Sequence, residues 1–177
     1  MEFMPRLLSR DESDAMALRL RTHIEQHGWG LWAVEIAARP SGDAANEMAG
    51  DRTAVPPLGS APAVGSFIGF VGLSVPTFDA HFTPCVEIGW RLARESWGQG
   101  FASEAALATL HYAFSELGFQ EIVSFTSHVN TRSRRVMEKI GMLRDAAGDF
   151  EHPRLTPGHP LRLHVLYRAK HGPRADL

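Results

Sequence analysis

Cysteine occurs once in the 177 residues, so no disulfide can close within the chain. That residue, Cys85, sits beside Val86 with no pattern of catalytic neighbours, and reads as a small buried hydrophobe rather than a nucleophile. No stretch approaches the roughly 18 consecutive apolar residues of a membrane span. The start, Met1-Glu2-Phe3-Met4-Pro5-Arg6, lacks the basic and then apolar order of a secretion signal, so the expectation is a cytoplasmic chain with no membrane partner. A basic excess is also missing: the formal charge of -2 argues against direct nucleic-acid binding. What is present, 44% apolar against 21% charged residues, suffices for the core of one domain spanning residues 1–177.

Ser9 followed by Glu12 forms a capping-box pattern, and Met16, Leu20 and Ile24 recur at helical spacing until Gly28, which predicts a helix over about 10–27. Trp32, Val34 and Ile36 alternate as in a half-buried strand. Between Arg39 and Val64, 15 of 26 residues are Ala, Pro, Gly or Ser, the composition of a flexible loop within the domain. Strands are predicted at Phe67–Val75, Val86–Ala93 and Ile122–His128. Ala102–Leu117 reads as a helix with Leu107, Leu110, Phe114 and Leu117 on its buried face and Gly118 as its stop. Asn130 is placed to cap a helix running through Ile140, with Gly141 ending it. A strand at Met142–Asp145, resuming near Phe150, and another at Leu161–Ala169 close the domain. In the last, Leu161, Leu163, Val165 and Tyr167 share a face.

The stretch Trp97-Gly98-Gln99-Gly100-Phe101-Ala102 lies between a strand and a helix. A helix N-terminus offers unpaired amides, and glycine lets a phosphate approach without a Cβ in the way, although a Gly-x-Gly alone also makes a mere tight turn. It lacks the third glycine of a dinucleotide fingerprint and the Gly-Lys-Ser/Thr of a P-loop.

Three ordered motifs go further: Val86-Glu87-Ile88-Gly89-Trp90-Arg91-Leu92, then Trp97 to Ala105, then Asn130-Thr131-Arg132-Ser133-Arg134-Arg135-Val136-Met137-Glu138-Lys139-Ile140-Gly141-Met142. Together they resemble the GCN5-related N-acetyltransferases (GNAT), in particular the ribosomal-protein N-terminal acetyltransferase branch, from about Trp29 to Tyr167. The resemblance implies an α/β fold: a mixed, mostly antiparallel sheet with flanking helices, whose parallel central strands, here 86–93 and 122–128, splay apart. It implies acetyl-CoA as co-substrate, with Arg94, Gly98, Gln99, Gly100, Phe101 and Ala102 at the pyrophosphate, Leu92 backbone on the pantetheine arm, and Asn130 and Ser133 near the thioester. Where relatives carry Gln or Arg before the glycines, this chain has Glu95; where many carry tyrosine, it has Met137. Asn130 also has a plain capping role, and Arg132, Arg134 and Arg135 read as a solvated helix face as readily as phosphate ligands.

Acetyl transfer to a primary amine, on a protein N-terminus or a small molecule, requires loss of the amine's proton, since amines titrate near ~8 to ~10.4. Alternation sends Glu87 and Arg91 to the face opposite Val86, Ile88 and Trp90, which makes Glu87 the leading base candidate and a Glu87–Arg91 charge pair its rival. His128 is a second base candidate. Ser133 is the candidate to stabilise or protonate the departing sulfur. His81, His152 and His159 lack metal-ligand spacing, so no metal is expected. The resemblance places the acceptor cleft among the first helix and the loops Phe78–Thr83 and Asp149–Pro160. An acyl-CoA-binding module without catalysis is the alternative. Relatives begin with a strand and a helix before the segment matching Ser9–His27, so either the true start lies upstream or the chain pairs as a homodimer.

Overall fold

Ser9 and Glu12 form the expected reciprocal capping box: the Ser9 hydroxyl accepts from the Glu12 amide at 3.2 Å, and the Glu12 carboxylate accepts from the Ser9 amide at 2.8 Å. They open α1 (Arg10–His27), which Gly28 ends in the left-handed conformation at φ 75°. The computed structural model describes residues 8–38 and 63–172. Both the bulk of the loop expected at 39–64 and the question of what precedes Ser9 lie outside these residues.

Among the described residues, six strands form one sheet in the order β1-β2-β3-β4-β6-β5: β1 (Leu31–Glu35), β2 (Phe67–Ser74), β3 (Glu87–Leu92), β4 (Glu121–Ser127), β5 (Leu143–Glu151) and β6 (Leu163–Lys170). Only β3 and β4 run parallel. The crossover between them carries α2 (Phe101–Ser115), and α3 (Thr131–Lys139) follows β4. The interruption expected between Asp145 and Phe150 appears as a register shift of β5 on β6, where the Asp145 carboxylate accepts from the Gly148 amide.

Both sheet faces are covered. One carries α2 and α3 over Val71, Leu73, Ile88, Ile122, Val165 and Tyr167, with Ala106, Leu110, Ala113, Met137 and Ile140 from the helices. The other carries a smaller aromatic cluster in which Phe82 and Phe150 cover Val123 and Leu166. Two expectations are corrected here. On α2, Leu107 points outward, 56% exposed, while Ala106, Thr109, Leu110 and Ala113 are buried. Alanines let a helix sit close on a sheet, and this turns the contact stripe one residue away from the larger leucine. On the last strand, which begins at Leu163 rather than Leu161, Leu163 is exposed, whereas Val165 and Tyr167 are buried on one face and Leu166 on the other. A strand covered on both faces loses its alternation.

A candidate acetyl-transfer site at the parting of β3 and β4

The parallel pair holds together at one end only. Glu87 is registered against Val123, and the Val123 amide donates to the Val86 carbonyl at 2.9 Å. One step further, the Ser124 hydroxyl, buried, donates to the Ile88 carbonyl at 2.9 Å, so a side chain takes the place of a ladder bond. Beyond this point no β3–β4 pairing is registered, and the strands diverge toward their C-terminal ends. The odd-numbered residues of β3 turn their backbone groups to β2, as the Ala93 amide continues to do with the Ile68 carbonyl. Trp90 and Leu92 therefore face the opening. The Leu92 carbonyl is already taken, by the Trp97 indole N–H at 2.9 Å, which leaves its amide to the opening.

Two helices start at the mouth of this opening. Gly98 and Gly100 have φ of 77° and 93°, a region where L side chains are strained, and Gly100 caps α2 without any side-chain bond. The amides of Phe101 and Ala102 thus begin the helix without a side-chain cap. Gln99 closes the turn by donating from Nε2 to the Glu95 carbonyl at 2.8 Å, while the Glu95 and Arg94 side chains are exposed. An exposed Glu95 is well screened from these amides. At α3, Asn130 accepts from the Ser133 amide at 3.1 Å and donates from Nδ2 to Thr126 at 3.0 Å, so its capping role is fulfilled. Ser133 is half-buried in the first turn. Arg132 ties the two helix starts together, its guanidinium 5.0 Å from the Trp97 ring centre.

Glu87 lies at the closed end, about 17 Å of strand from Leu92. Its carboxyl is half-buried, and burial pushes it from 4.5 up to about 8, opposed by a hydrogen bond from the Ser74 side chain. The carboxyl's hydrogen bond comes from the Ser74 side chain, and the Arg91 guanidinium lies 5.4 Å from the Phe70 ring centre. Ser74 escaped notice in the sequence because only the register of β2 on β3 places it opposite Glu87. His128, an exposed residue just past the end of β4, sits five residues beyond Val123, about 17 Å along the chain, with Nδ1 at 3.4 Å from the Leu163 carbonyl. The structure does not bring it to Glu87. Met137 is buried in the core beneath α3.

On the Glu87 face, the two loops expected near an acceptor converge. The Phe78 ring lies 4.7 Å from that of His152 and 6.0 Å from that of Phe150, and Arg154 donates to the Thr77 carbonyl at 3.1 Å. Burial first, then the neighbouring His164 and Arg154, lower His152 to about 4, so it is neutral near pH 7. Cys85 is driven up to about 11, chiefly by burial, and its thiol is correspondingly unreactive. No group of three or more His, Cys, Asp or Glu side chains converges as a metal site among the described residues, and no described helix is long and apolar enough to cross a membrane.

With this geometry in view, the comparison with known proteins is decisive for the family: the acetyltransferase (GNAT) domain matches residues 1–143. The chain belongs to this family. Among curated relatives of this GNAT protein, the FsC-acetyl coenzyme A-N(2)-transacetylase of Aspergillus fumigatus is 38% identical over 96 residues, covering 51% of this chain and 41% of the relative. The chain spans less than half the length of the curated relatives it matches first. The same fold occurs in the acetyltransferase from Agrobacterium tumefaciens, with TM-score 0.58 and 22% identity over 95% of this chain and 75% of that one. It occurs too in the ribosomal-protein-S5-alanine acetyltransferase of Vibrio fischeri, with TM-score 0.62 and 14% identity over 95% and 78%. The mixed α/β GNAT fold with flanking helices is thus the one expected from the sequence.

Proposed function

We propose that the protein transfers the acetyl group of acetyl-CoA to a primary amine by direct attack on the thioester. The observation that carries this reading is the opening between β3 and β4 with the uncapped start of α2 at its mouth and Glu87 at its closed end. The pyrophosphate is held by the amides around Gly98–Ala102, with Arg94 and Gln99 flanking them. The pantetheine amides pair with Trp90 and the Leu92 amide as a strand would. The amine nitrogen attacks the thioester carbonyl, the C–N bond forms, and the C–S bond breaks. Glu87, in its ionised form, takes the amine's proton directly or through one water. Sulfur leaves as a thiolate, whose pKa of ~8.5 demands only modest help, which the Ser133 hydroxyl supplies from the α3 side beside Asn130.

The acceptor is a protein N-terminus or a small amine. The likeness of the three motifs to the ribosomal-protein N-terminal acetyltransferase branch supports the former. The chain works in the cytoplasm, without a metal.

The test is release of coenzyme A, followed by thiol titration and mass spectrometry, across peptide N-termini, lysine peptides, polyamines and amino-sugar antibiotics. Acetylated product with stoichiometric thiol is the expected result. Measurable acetyl-CoA binding with only background thiol release from every acceptor would make the protein an acyl-CoA-binding module instead.

A further inference from the structure

Ser74 and Glu87 are directly opposed Cα partners at the ends of β2 and β3, so their side chains leave the same face of the sheet. Ser74 has a second neighbour. It borders an open cavity of about 280 Å3 lined also by Arg19, Leu20 and His23 of α1 and by Leu31, Leu73, Val75 and Thr77. The half-buried Glu87 carboxyl takes its hydrogen bond from the Ser74 side chain, and for an ionised group drawn out of water a single donor has a large effect.

We propose that Ser74 is a positioning residue for acetyl transfer that acts through Glu87: by donating to the carboxyl it sustains its ionised form. The inference rests on Glu87 serving as the base. It asks nothing of Ser74 as a proton carrier; the hydroxyl keeps its proton throughout.

The groups around Glu87 leave this role to Ser74. Cys85, two residues earlier on the same strand face, stays a neutral thiol, held up by burial and by Glu87 itself. Val123, opposite on β4, is apolar. Arg91 is placed against Phe70. Arg168 bonds to Asp145 at 2.7 Å and to Glu121 at 2.5 Å. From α1, Arg19 is exposed, and burial lowers His23, which also feels His27, so that it remains neutral near pH 7. The Nε2 of His23 is buried with no partner among the described residues. The side-chain hydrogen bond on the carboxyl is that of Ser74.

The experiment is the pH profile of kcat/KM for wild type, Ser74→Ala, Ser74→Thr and Glu87→Gln, using an acceptor amine that is neutral over the whole range. Glu87→Gln must first remove the acid limb; if the limb survives, the base reading fails and takes this inference with it. Given a Glu87-dependent limb, Ser74→Ala is expected to move it to higher pH. Loss of one hydrogen bond to a charged group then appears as an about tenfold loss of kcat/KM near pH 7 and none on the alkaline plateau. Ser74→Thr, which keeps a hydroxyl, restores the wild-type profile. Should the alanine variant be insoluble, Ser74→Cys, isosteric but a weaker donor, is expected to move the limb the same way. A Ser74 variant whose limb superimposes on that of wild type, or one that loses plateau and limb equally, overturns the positioning role while leaving Glu87 as the base.

Discussion

Replacing Glu87 by glutamine should change how the fold's stability depends on pH, and by an amount the structure sets. The folded carboxyl titrates at about 8 and the ordinary one at 4.5. The folded chain thus holds this proton more tightly than the unfolded chain does. Its contribution to stability is fully present below about 4.5, is lost as pH rises to about 8, and is flat above that. At roughly 1.4 kcal/mol per pH unit the window would be worth up to ~5 kcal/mol, and solvent contact at this half-buried site brings it to ~2–4 kcal/mol. Glutamine retains the shape and an acceptor for Ser74 but cannot ionise. Urea unfolding of both proteins, followed by circular dichroism at several pH values between about 4.5 and about 9, measures the difference. The stability of Glu87→Gln minus that of wild type should grow across the window. His152, lowered to about 4, makes both proteins lose stability as pH falls, and so cancels in the subtraction. Parallel stability curves would refute the claim that Glu87 is held in its neutral form by burial.

Ser133→Ala should lower turnover while leaving the dissociation constant for acetyl-CoA within about twofold, as expected for a group that acts on the departing sulfur; unchanged turnover removes Ser133 from the mechanism. Gly100→Ala places a side chain at φ 93°, with open space around the new Cβ, so its cost is backbone strain of about 1–2 kcal/mol. Calorimetry should show weaker coenzyme A binding as the α2 amides turn away, and wild-type affinity would mean that the pyrophosphate is held elsewhere.

Much of the fold was legible because local chemistry determined it. Ser9 and Glu12 announce a helix by reciprocal bonding, and Gly28 and Gly141 end helices at φ 75° and 81°, where a side chain would be strained. Neither signal needs a tertiary partner. Leu107 was misassigned because a helical stripe of apolar residues does not say how closely the helix approaches the sheet, and Ala106 and Ala113 decide that. The burial of Leu166 was not legible because covering both faces of β6 requires Phe82 and Phe150, which arrive from distant parts of the chain. At the candidate site, the glycine turn and the Asn130 cap were readable as backbone devices. The Leu92 carbonyl was not, since its bond to Trp97 follows from how the short turn Arg94–Ser96 folds back. Ser74 lay hidden for a related reason: a residue's partner across a sheet is a matter of register, and Gly69, whose position would admit no Cβ against the Arg91 carbonyl at 2.1 Å, helps set that register only once the strands have met.

The Ser124 hydroxyl on the Ile88 carbonyl has a mechanical consequence. It and the Glu87–Val123 pairing are the seam between two three-stranded plates, β1-β2-β3 and β4-β6-β5, each laddered within itself apart from the register shifts in β1 and β5. A molecule laid along Trp90 and Leu92 would stitch the open part of that seam, turning two plates into one. Hydrogen exchange would record such stitching as slower opening of β3 and β4 together.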